Sequence, residues 1–354
     1  MYGYGNSLFS TTRAILAESN AAVLPVNTVA PALSGTAQEG QTLTCSTGTW
    51  TGTPTITYTY QWKRNGSNIG SATNSTYTLV TADVGQSIKC TVTATNGAGS
   101  VNADSNTVTP TSAVDPDAQA FITAASITDP TQQSAINQLV VDLKGYNIWT
   151  KMKALYPFVG GTNAQHAWNL KNTAQYKITW YGGVTSSANG ITGNQTNGYG
   201  DTFLNNNVMG QNDAHISLYS RTDSTFGAYD MGSWNGSVFG SFIMTRVGNI
   251  FRSTINNGTW SSQSNTDSRG FYLVTRKSGT SQTAQKNSTQ YIVSSVSSSN
   301  IATSYKILRV GEFNGDYSPR NLAFASIGDG LTDTEAANFY TAVQTFQTTL
   351  GRQV

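Results

Sequence analysis

Residues 321–327, NLAFASI, decide the fold class of this chain together with the turn GDG at 328–330 and the segment that follows. The first seven residues are strand-like, and the two glycines indicate a tight turn. After the turn, Thr332 and Glu335 have capping-box spacing, in which each side chain satisfies a backbone donor of the first helical turn. An apolar stripe at steps of three and four follows: Ala336, Phe339, Val343, Phe346 and Leu350. Because the preceding chain reads as short strands, this helix is predicted to cover a β-sandwich.

The composition favours β-rich domains with polar, weakly charged surfaces. The 354 residues are enough for two or three domains at roughly 100–200 residues each. Charged residues make up 11% of the chain, against about 25% in an average soluble domain. The polarity comes instead from Ser, Thr, Asn and Gln, and the 34 glycines suit many short strands joined by tight turns.

Charge and hydropathy argue against several classes of function. The net charge is +2 without any basic run, so we expect no nucleic-acid partner. No apolar stretch approaches the ~20 residues that span a bilayer, so we expect no membrane span. The first basic residue is Arg13, and the apolar run at 14–17 is short for a secretory signal. A protein of this kind that works outside the cell is expected to leave it inside a particle released by lysis.

Residues 1–24 form a segment that fits neither of the domains that follow. The segment holds two Tyr-Gly pairs, a phenylalanine and a short helix-compatible patch. One interpretation is a frayed terminus. The other is an anchor peptide that becomes ordered on a partner surface, where its few aromatic side chains would fill a groove.

Residues 25–110 are predicted to form a small β-sandwich. Cys45 and Cys90 are the only cysteines, and Trp62 lies between them in the alternating strand TYQWKRNG. This Cys–Trp–Cys order resembles the immunoglobulin-like fold, although Ile88 stands where the tyrosine corner of that fold would have its tyrosine. Two states remain open for the cysteines, a disulfide that stabilises by about 4 kcal/mol or two buried thiols beside the tryptophan. A metal site is not expected, because two cysteines without nearby histidines cannot complete a tetrahedral ligand set.

Residues 111–165 are predicted to form a linker and a helical segment. Asp115-Pro116 and Asp129-Pro130 each place Asp at an N-cap and Pro at the first helical position. Apolar stripes follow both: Ala118, Phe121, Ile122 and Ala125 in the first, Ile136, Leu139, Val140 and Leu143 in the second. These helices would either cover the sandwich or pack between protomers about an oligomer axis.

Residues 166–354 are predicted to be a larger sandwich of strands joined by Asn-Gly turns. The segments TNGYGDTFLN (196–205), HISLYSRT (215–222) and AFASIGDGLTDTEAANFYTAVQTFQTTLGRQV (323–354) resemble phage virion proteins of the fibre, spike or tail type. In that family the C-terminal domain is a concanavalin/laminin-G-like jelly roll, and the resemblance covers roughly residues 115–354. It implies a structural or adhesive protein of the virion, with residues 1–24 bound to a capsid or tail protein.

The expected fold class is therefore mainly β. An Ig-like β-sandwich is followed by a larger concanavalin/laminin-G-like jelly-roll sandwich, with two short helices before it and one C-terminal helix. We favour a homotrimer, because the fibres and spikes of such particles are often trimeric and because display in several copies multiplies weak binding. The sequence does not separate head from tail placement.

The residues that could carry catalysis are few, so we expect no enzyme activity and no cofactor. The chain has four glutamates, and no strand carries the paired carboxylates that glycoside hydrolysis needs. His166 and His215 are isolated in the sequence, which is more typical of structural histidines. Scattered aspartates in turns could hold Ca²⁺ through carboxylate and carbonyl oxygens, but they are more often local turn caps. The aspartates are Asp201, Asp213, Asp223, Asp230, Asp267 and Asp316.

Aromatic residues beside glycine turns are the best candidates for ligand contact. Sugar faces stack on exposed rings, while amides and carboxylates bind the hydroxyls. The candidates are Trp180, Tyr181, Tyr199, Trp234 and Trp260. For each of them, burial in the sandwich core is the alternative.

Three functions fit these patterns. The first is a phage virion protein on the particle surface, a head fibre, a spike or a tail-associated protein, that attaches to a host-surface glycan. The second is a secreted carbohydrate-binding module of a cellular organism. The third is a decoration protein without a ligand.

Overall fold

The structure is a computed structural model that describes residues 21–234, 239–257, 259–295, 297–298, 304–307 and 317–354. The chain divides into two compact units, one ending at Ala113 and the other spanning Val114–Val354. The predicted anchor segment, residues 1–24, lies outside the described residues except for 21–24. In the part of the chain that is described, no helix is long and apolar enough to cross a membrane.

The smaller unit consists of nine short strands. Their bounds are β1 Val26–Val29, β2 Leu33–Ser34, β3 Thr42–Cys45, β4 Thr49–Thr51, β5 Thr57–Arg64, β6 Ser67–Asn68, β7 Thr76–Thr78, β8 Ile88–Asn96 and β9 Gly99–Asp104. They form three antiparallel sheets with the orders β1-β4, β2-β3-β7 and β6-β5-β8-β9. The core lies between the three-stranded and four-stranded sheets, and this arrangement confirms the predicted Ig-like sandwich.

Trp62 is at the centre of that core. It is fully buried and directly opposite Cys90 in the β5–β8 register. Its indole Nε1 donates a hydrogen bond to the Asn74 carbonyl oxygen at 2.9 Å, so the one polar atom of the ring is satisfied. Ile88, which replaces the expected corner tyrosine, is also fully buried and supplies apolar packing instead of a hydroxyl.

Cys45 and Cys90 come from facing sheets and are buried as free thiols that hydrogen-bond to each other. The hydrogen bond with Cys90 lowers the pKa of Cys45. The same bond and burial raise the pKa of Cys90. A disulfide between the two cysteines stays a prediction.

The larger unit contains four helices and fifteen strands among its described residues. The helices are α1 Pro116–Ala124, α2 Pro130–Gly145, α3 Asn163–His166 and α4 Asp333–Thr349. The strands are β10 Met152–Tyr156, β11 Thr179–Tyr181, β12 Thr185–Ser187, β13 Gly190–Thr192, β14 Tyr199–Asn205, β15 Ala214–Ser220, β16 Met231–Trp234, β17 Phe239–Val247, β18 Ile250–Ile255, β19 Ser261–Ser264, β20 Gly270–Ser278, β21 Ser281–Lys286, β22 Thr289–Ser294, β23 Ser304–Ile307 and β24 Asn321–Gly328.

These strands form two antiparallel sheets that pack face to face. One sheet has eight strands in the order β12-β13-β24-β15-β20-β21-β22, with β10 also paired to β24. The other has seven strands in the order β11-β14-β23-β16-β17-β18-β19. Alternate side chains of both sheets meet in one core, which confirms the predicted sandwich. Strand β10 falls within 111–165, where the sequence suggested a linker and helices.

Strand β24 is buried on both faces, which explains why its sequence is continuously apolar. Ala325 and Ile327 face the core between the two sheets, whereas Phe324 faces the helices. Helix α4 covers this second face through its predicted stripe, with Phe339, Val343 and Phe346 buried. The eight-stranded sheet is therefore the middle layer of three.

The predicted helix caps are confirmed. Thr332 Oγ1 accepts a hydrogen bond from the Glu335 backbone N–H at 3.3 Å, and the Thr332 N–H donates to Glu335 Oε2 at 2.8 Å. The Asp115 and Asp129 carboxylates accept from backbone N–H groups in the first turns of α1 and α2. These three caps fix where each helix of the outer layer begins.

The apolar stripes of α1 and α2 are buried within the unit. Phe121, Leu139 and Val140 pack in the same cluster as Phe339 of α4. The helices therefore cover the sandwich, as one of the two alternatives predicted. The other alternative, packing of these stripes between protomers, is wrong. The stripes therefore supply no argument for a trimer, and the formation of a trimer stays a prediction.

Arg352 joins the end of α4 to the sheet below it. Its fully buried guanidinium donates to the Gln347 side-chain oxygen and to the carbonyl oxygens of Phe158 and Ala323, at 2.8–3.2 Å. Burial lowers the pKa of Arg352 to about 9. Carbonyl dipoles stabilise this charge, since no ion pair to Arg352 occurs among the described residues.

Candidate functional site

The outer face of the seven-stranded sheet is the face that points away from the eight-stranded sheet. Tyr305 and Ile307 of β23 lie in the core between the sheets, so Lys306 between them points outward. In β17, Ile243 lies in the same core, and Phe242 and Met244 on either side of it form a separate outer cluster. No helix layer covers this face among the described residues.

A row of six aromatic rings crosses this outer face from one side to the other. We call it the aromatic row; its members are Tyr181, Tyr199, Tyr317, Tyr229, Phe242 and Trp260. Successive ring centroids are 4.8 Å apart for Tyr181–Tyr199, 6.2 Å for Tyr199–Tyr317, 5.1 Å for Tyr229–Phe242 and 6.4 Å for Phe242–Trp260. Backbone pairing of Tyr229 with Tyr317 joins the two halves.

The rings differ in how much of their surface a ligand can reach. Tyr199 is half-buried, because Tyr181 stacks on it with an interplanar angle of 15° and Tyr317 packs against it at 45°. Phe242 is 1% exposed, whereas Tyr181 is 40% exposed and Trp260 is 48% exposed. The middle of the row is thus a packed floor, and the accessible rings are at its two ends.

The two accessible rings are far enough apart for an extended ligand. Tyr181 is on β11, and Trp260 packs against Phe242 on β17. Four strand spacings separate β11 from β17 in the sheet order. At about 4.8 Å per spacing, the strands of Tyr181 and Phe242 are about 19 Å apart, and Trp260 lies beyond Phe242, directly before β19. This distance suits two separate contacts with one chain-like ligand.

Trp180 does not belong to this surface, although its sequence context resembles that of Tyr181. Its ring faces the interior, where it packs 6.1 Å from Phe158 and donates its indole N–H to the Asn163 carbonyl oxygen at 2.8 Å. It lies directly opposite Gly200, and a Cβ there would come within 2.6 Å of the indole ring. The glycine makes room for a core tryptophan.

Trp234 is also more buried than the sequence suggested. It is half-buried on β16 and packs against the outer cluster of Phe242 and Met244. The following residues, 235–238, lie outside the described residues. Of the five candidates, Tyr181 and Trp260 therefore offer accessible rings, Tyr199 and Trp234 support them, and Trp180 is part of the core.

A charged pair lies beside Tyr199 in the aromatic row. Lys306 Nζ is 2.8 Å from Asp201 Oδ2 and 5.9 Å from the centre of the Tyr199 ring. The Asp201 carboxylate also accepts a hydrogen bond from the Phe203 backbone N–H at 2.9 Å. The pair adds a donor and an acceptor to an otherwise uncharged part of the surface.

A buried ion pair supports the middle of the aromatic row. Asp230 Oδ1 lies 2.9 Å from Arg320 Nη1, and both side chains are fully buried. The same carboxylate accepts hydrogen bonds from Ser318 Oγ at 2.6 Å and from the Thr245 backbone N–H at 2.7 Å. Because Asp230 and Ser318 are sequence neighbours of Tyr229 and Tyr317, this network holds the two tyrosines in place. The pair joins residues 90 positions apart, so no local sequence pattern predicted it.

The other candidate Ca²⁺ aspartates mostly form ion pairs. Asp213, Asp223 and Asp267 lie 2.7–3.0 Å from a lysine or arginine nitrogen, as do Asp201 and Asp230. Asp316 lies outside the described residues. Within the described ranges, no group of three or more potential metal-binding side chains occurs. The five described aspartates therefore balance local positive charge.

Both histidines are buried away from solvent. His215 is fully buried, with Nδ1 2.6 Å from the Asp329 carbonyl oxygen and Nε2 3.1 Å from Ser326 Oγ. His166 is 1% exposed, and neither ring nitrogen has a protein partner among the described residues. Burial lowers the pKa of His215 to about 4 and that of His166 to about 3. Their burial keeps both rings from contact with an outside substrate.

No protein-family model and no curated protein matches this chain. Among solved structures, the chain is similar to the binding domain of botulinum neurotoxin serotype D, at 8% identity over 55% of this chain and 52% of that one, with a TM-score of 0.42. It is also similar to domain 4 of an extracellular GH43 arabinanase from Geobacillus stearothermophilus in complex with arabinotriose, at 12% identity over 53% and 98%, with a TM-score of 0.40. A sialidase from Trypanosoma rangeli in complex with sialic acid has 7% identity over 72% and 42%, with a TM-score of 0.42. The chain spans about half the length of the neurotoxin domain. Likenesses this distant carry no conclusion about what this chain binds.

Proposed function

We propose that this chain is a carbohydrate-binding protein whose larger unit binds a glycan on the outer face of its seven-stranded sheet. The observation that carries the proposal is the aromatic row, with an accessible ring at each end. Tyr181 and Trp260 would stack against two separate sugar faces of one ligand, on either side of strands that span about 19 Å. The packed rings between them would form a floor under the bound chain.

The polar groups of this face suit sugar hydroxyls. Thr179 is exposed and lies two residues before Tyr181 on the same strand, so both side chains point to the same face. Thr259 is exposed beside Trp260, and the Lys306–Asp201 pair lies beside Tyr199. Hydroxyl and charged groups next to rings fix the orientation of a sugar, while the rings contribute contact area.

The affinity of one such surface is expected to be weak. Ring stacking contributes on the order of 1 kcal/mol beyond the burial of the ring itself. Binding to a surface that carries many glycan copies would then depend on several copies of the protein acting together, which raises the effective concentration.

Replacing the two accessible rings is expected to remove binding without unfolding the protein. Y181A and W260A should each weaken binding to a glycan selected on an array by about fivefold, which corresponds to about 1 kcal/mol. The double variant should bind below detection. Because both rings are substantially exposed, the melting temperatures should change little. Titration calorimetry and thermal melting measure the two effects.

A matched control comes from the opposite side of the unit. Tyr340 is half-buried on α4, in the helix layer, and Y340A should leave glycan affinity unchanged. Equal losses in Y340A and Y181A, or full binding by the double variant, would contradict the proposed site.

We further propose that the chain is a phage virion protein on the particle surface, in which residues 1–24 bind a capsid or tail protein. The support is the resemblance of 196–205, 215–222 and 323–354 to virion proteins of that type. In this arrangement the larger unit would face the host, and a homotrimer would supply the several copies that weak glycan binding requires.

Deleting residues 1–24 tests that placement. The truncated protein should fold with unchanged melting transitions, because the sandwich cores of the described chain are built from residues that begin at Leu33. It should no longer be incorporated into particles assembled in its presence, as measured by immunoblotting of purified particles. Normal incorporation would contradict the anchor role.

Two other functions remain as alternatives. A secreted carbohydrate-binding module of a cellular organism would bind the same glycans but would be exported by a signal-dependent route. A decoration protein without a ligand would be incorporated into particles and bind nothing on a glycan array. The array and the incorporation assay together separate these alternatives from the proposal.

A further inference from the structure

An open cleft of about 520 Å³ lies where the chain between α2 and β10 meets the 171–176 loop. Thr150, Lys153, Lys171, Gln175 and Tyr176 contribute to its wall. Its size is in the range of pockets that hold small ligands. Among the described residues that line it, none is an aspartate or a glutamate.

The positive charge around this cleft comes from a lysine-rich part of the sequence. Residues 143–200 contain five lysines and no acidic residue. Three of the lysines form ion pairs with acids from other parts of the chain, as Lys153 Nζ does with Asp329 Oδ2 at 2.9 Å. Lys171 and Lys177 form none with the described residues. Of these two, Lys171 lines the cleft.

Lys171 is held in position by a tryptophan. Its Nζ lies 4.5 Å from the centre of the Trp149 ring, which is 7% exposed. A cation over an indole face is stabilised by the ring quadrupole. This contact does not neutralise the charge of the cation, as an ion pair with a carboxylate would. Lys171 Nζ has no oxygen acceptor among the described residues, so its N–H donors that do not face the ring remain available to a ligand.

The cleft also offers neutral donors. The side chains of Thr150, Gln175 and Tyr176 form no hydrogen bond with the described part of the chain. Lys153 keeps its bond to Asp329 and has two further N–H donors. Hydroxyl and amide groups around two ammonium groups match a ligand that combines an anionic group with sugar-like hydroxyls.

We propose that this cleft is a second binding site, which takes the carboxylate or sulfate group of an acidic sugar. Lys171 and Lys153 bind the anionic group, and Thr150, Gln175 and Tyr176 contact the hydroxyls. The site is separate from the aromatic row in its residues, so it does not depend on the function proposed for that row.

The electrostatics of Lys171 agree with this assignment. Burial lowers the pKa of Lys171, and the charges of Lys144 and Lys153 lower it further, against the effect of Asp117. A bound anion would favour the charged form and raise this pKa again. Binding should therefore weaken as the pH rises through the pKa of Lys171, which lies below the pKa of an ordinary lysine.

Glucuronate and inorganic sulfate are the probes for a test by titration of the full chain at low salt. Glucuronate should bind the wild type at least tenfold more tightly than it binds K171M. K171R keeps the positive charge, so its affinity for glucuronate should stay within about threefold of the wild-type affinity. K177M is the matched control, since Lys177 lies over the Trp168 ring and does not line the cleft. Its affinity should equal that of the wild type.

Selective acetylation of lysines provides a readout on the unaltered protein. Mass spectrometry should show that glucuronate slows acetylation of Lys171 and leaves Lys177 unaffected. Absence of glucuronate binding at millimolar concentration, equal losses in K171M and K177M, or no protection of Lys171 would overturn the site. Sulfate binding as tight as glucuronate binding would overturn the assignment to a hydroxylated ligand.

Discussion

The D230N variant is expected to lose about 3–5 kcal/mol of the free energy of unfolding of the larger unit. The substitution removes the charge that balances Arg320, whose guanidinium is fully buried. An uncompensated buried cation is far more costly than the loss of an exposed ion pair. Urea denaturation followed by tryptophan fluorescence measures the change.

The matched control is an exposed pair of the same chemistry. Arg269 and Asp267 are 3.0 Å apart with side-chain exposures of 50% and 39%, and D267N should cost less than about 1 kcal/mol. D230N should also weaken glycan binding, because the same carboxylate network holds Tyr229 and Tyr317 in the floor of the aromatic row. A loss below 1 kcal/mol in D230N would mean that this pair does not organise the face.

Acid is expected to destabilise the larger unit well above the usual pKa of carboxylates. Burial lowers the pKa of His215 from 6.5 to about 4 and that of His166 from 6.5 to about 3. Between these values the unfolded chain binds protons that the folded chain does not, so the free energy of unfolding falls as the pH falls. Each histidine contributes a slope of about 1.4 kcal/mol per pH unit.

The expected loss is comparable with the whole stability of a typical domain. From pH 6.5 to pH 4 each histidine removes just under 3 kcal/mol, and the two together remove about 5–6 kcal/mol. Total stabilities are about 5–15 kcal/mol. Both histidines of the chain are in the larger unit, so the smaller unit should show a flat profile over this range. Calorimetric scans of the full chain at successive pH values separate the two transitions.

The H166F variant tests which group is responsible. His166 has no protein hydrogen-bond partner among the described residues and packs edge-on against Phe158, so a phenylalanine should fit at no loss of stability at pH 7.5. Its acid slope should fall to about half that of the wild type. An unchanged slope in H166F would show that protonation of other groups drives the acid transition.

The helical layer could be predicted from the sequence because its signals are local. Each of these signals joins residues that are at most about one helical turn apart in the chain. They are the capping box at Thr332, the Asp-Pro helix starts and the successive steps of the apolar stripes. The order Cys45–Trp62–Cys90 likewise predicted the smaller sandwich. Strand β10 was missed, because Met152–Tyr156 begins seven residues after the end of α2 and its pairing with β24 lies more than 160 residues away.

The candidate surface was less predictable because it depends on side-chain direction. Trp180 and Tyr181 are adjacent, and on a strand adjacent side chains point to opposite faces. The sequence alone did not show which of the two faces the core; Gly200, which admits the Trp180 ring, decides it. Tyr229 and Tyr317 were missed for a related reason, since the Asp230–Arg320 pair that brings them together joins residues 90 positions apart.

Fluorine NMR of protein labelled with 5-fluorotryptophan tests the central claim most directly. The chain has seven tryptophans, and the signal of Trp260 can be assigned from the W260F variant. On titration with a glycan selected on an array, the Trp260 signal should shift in a saturable way, while those of Trp62 and Trp180 in the two cores should not move. Saturable binding that leaves the Trp260 signal unchanged would contradict glycan binding at the aromatic row.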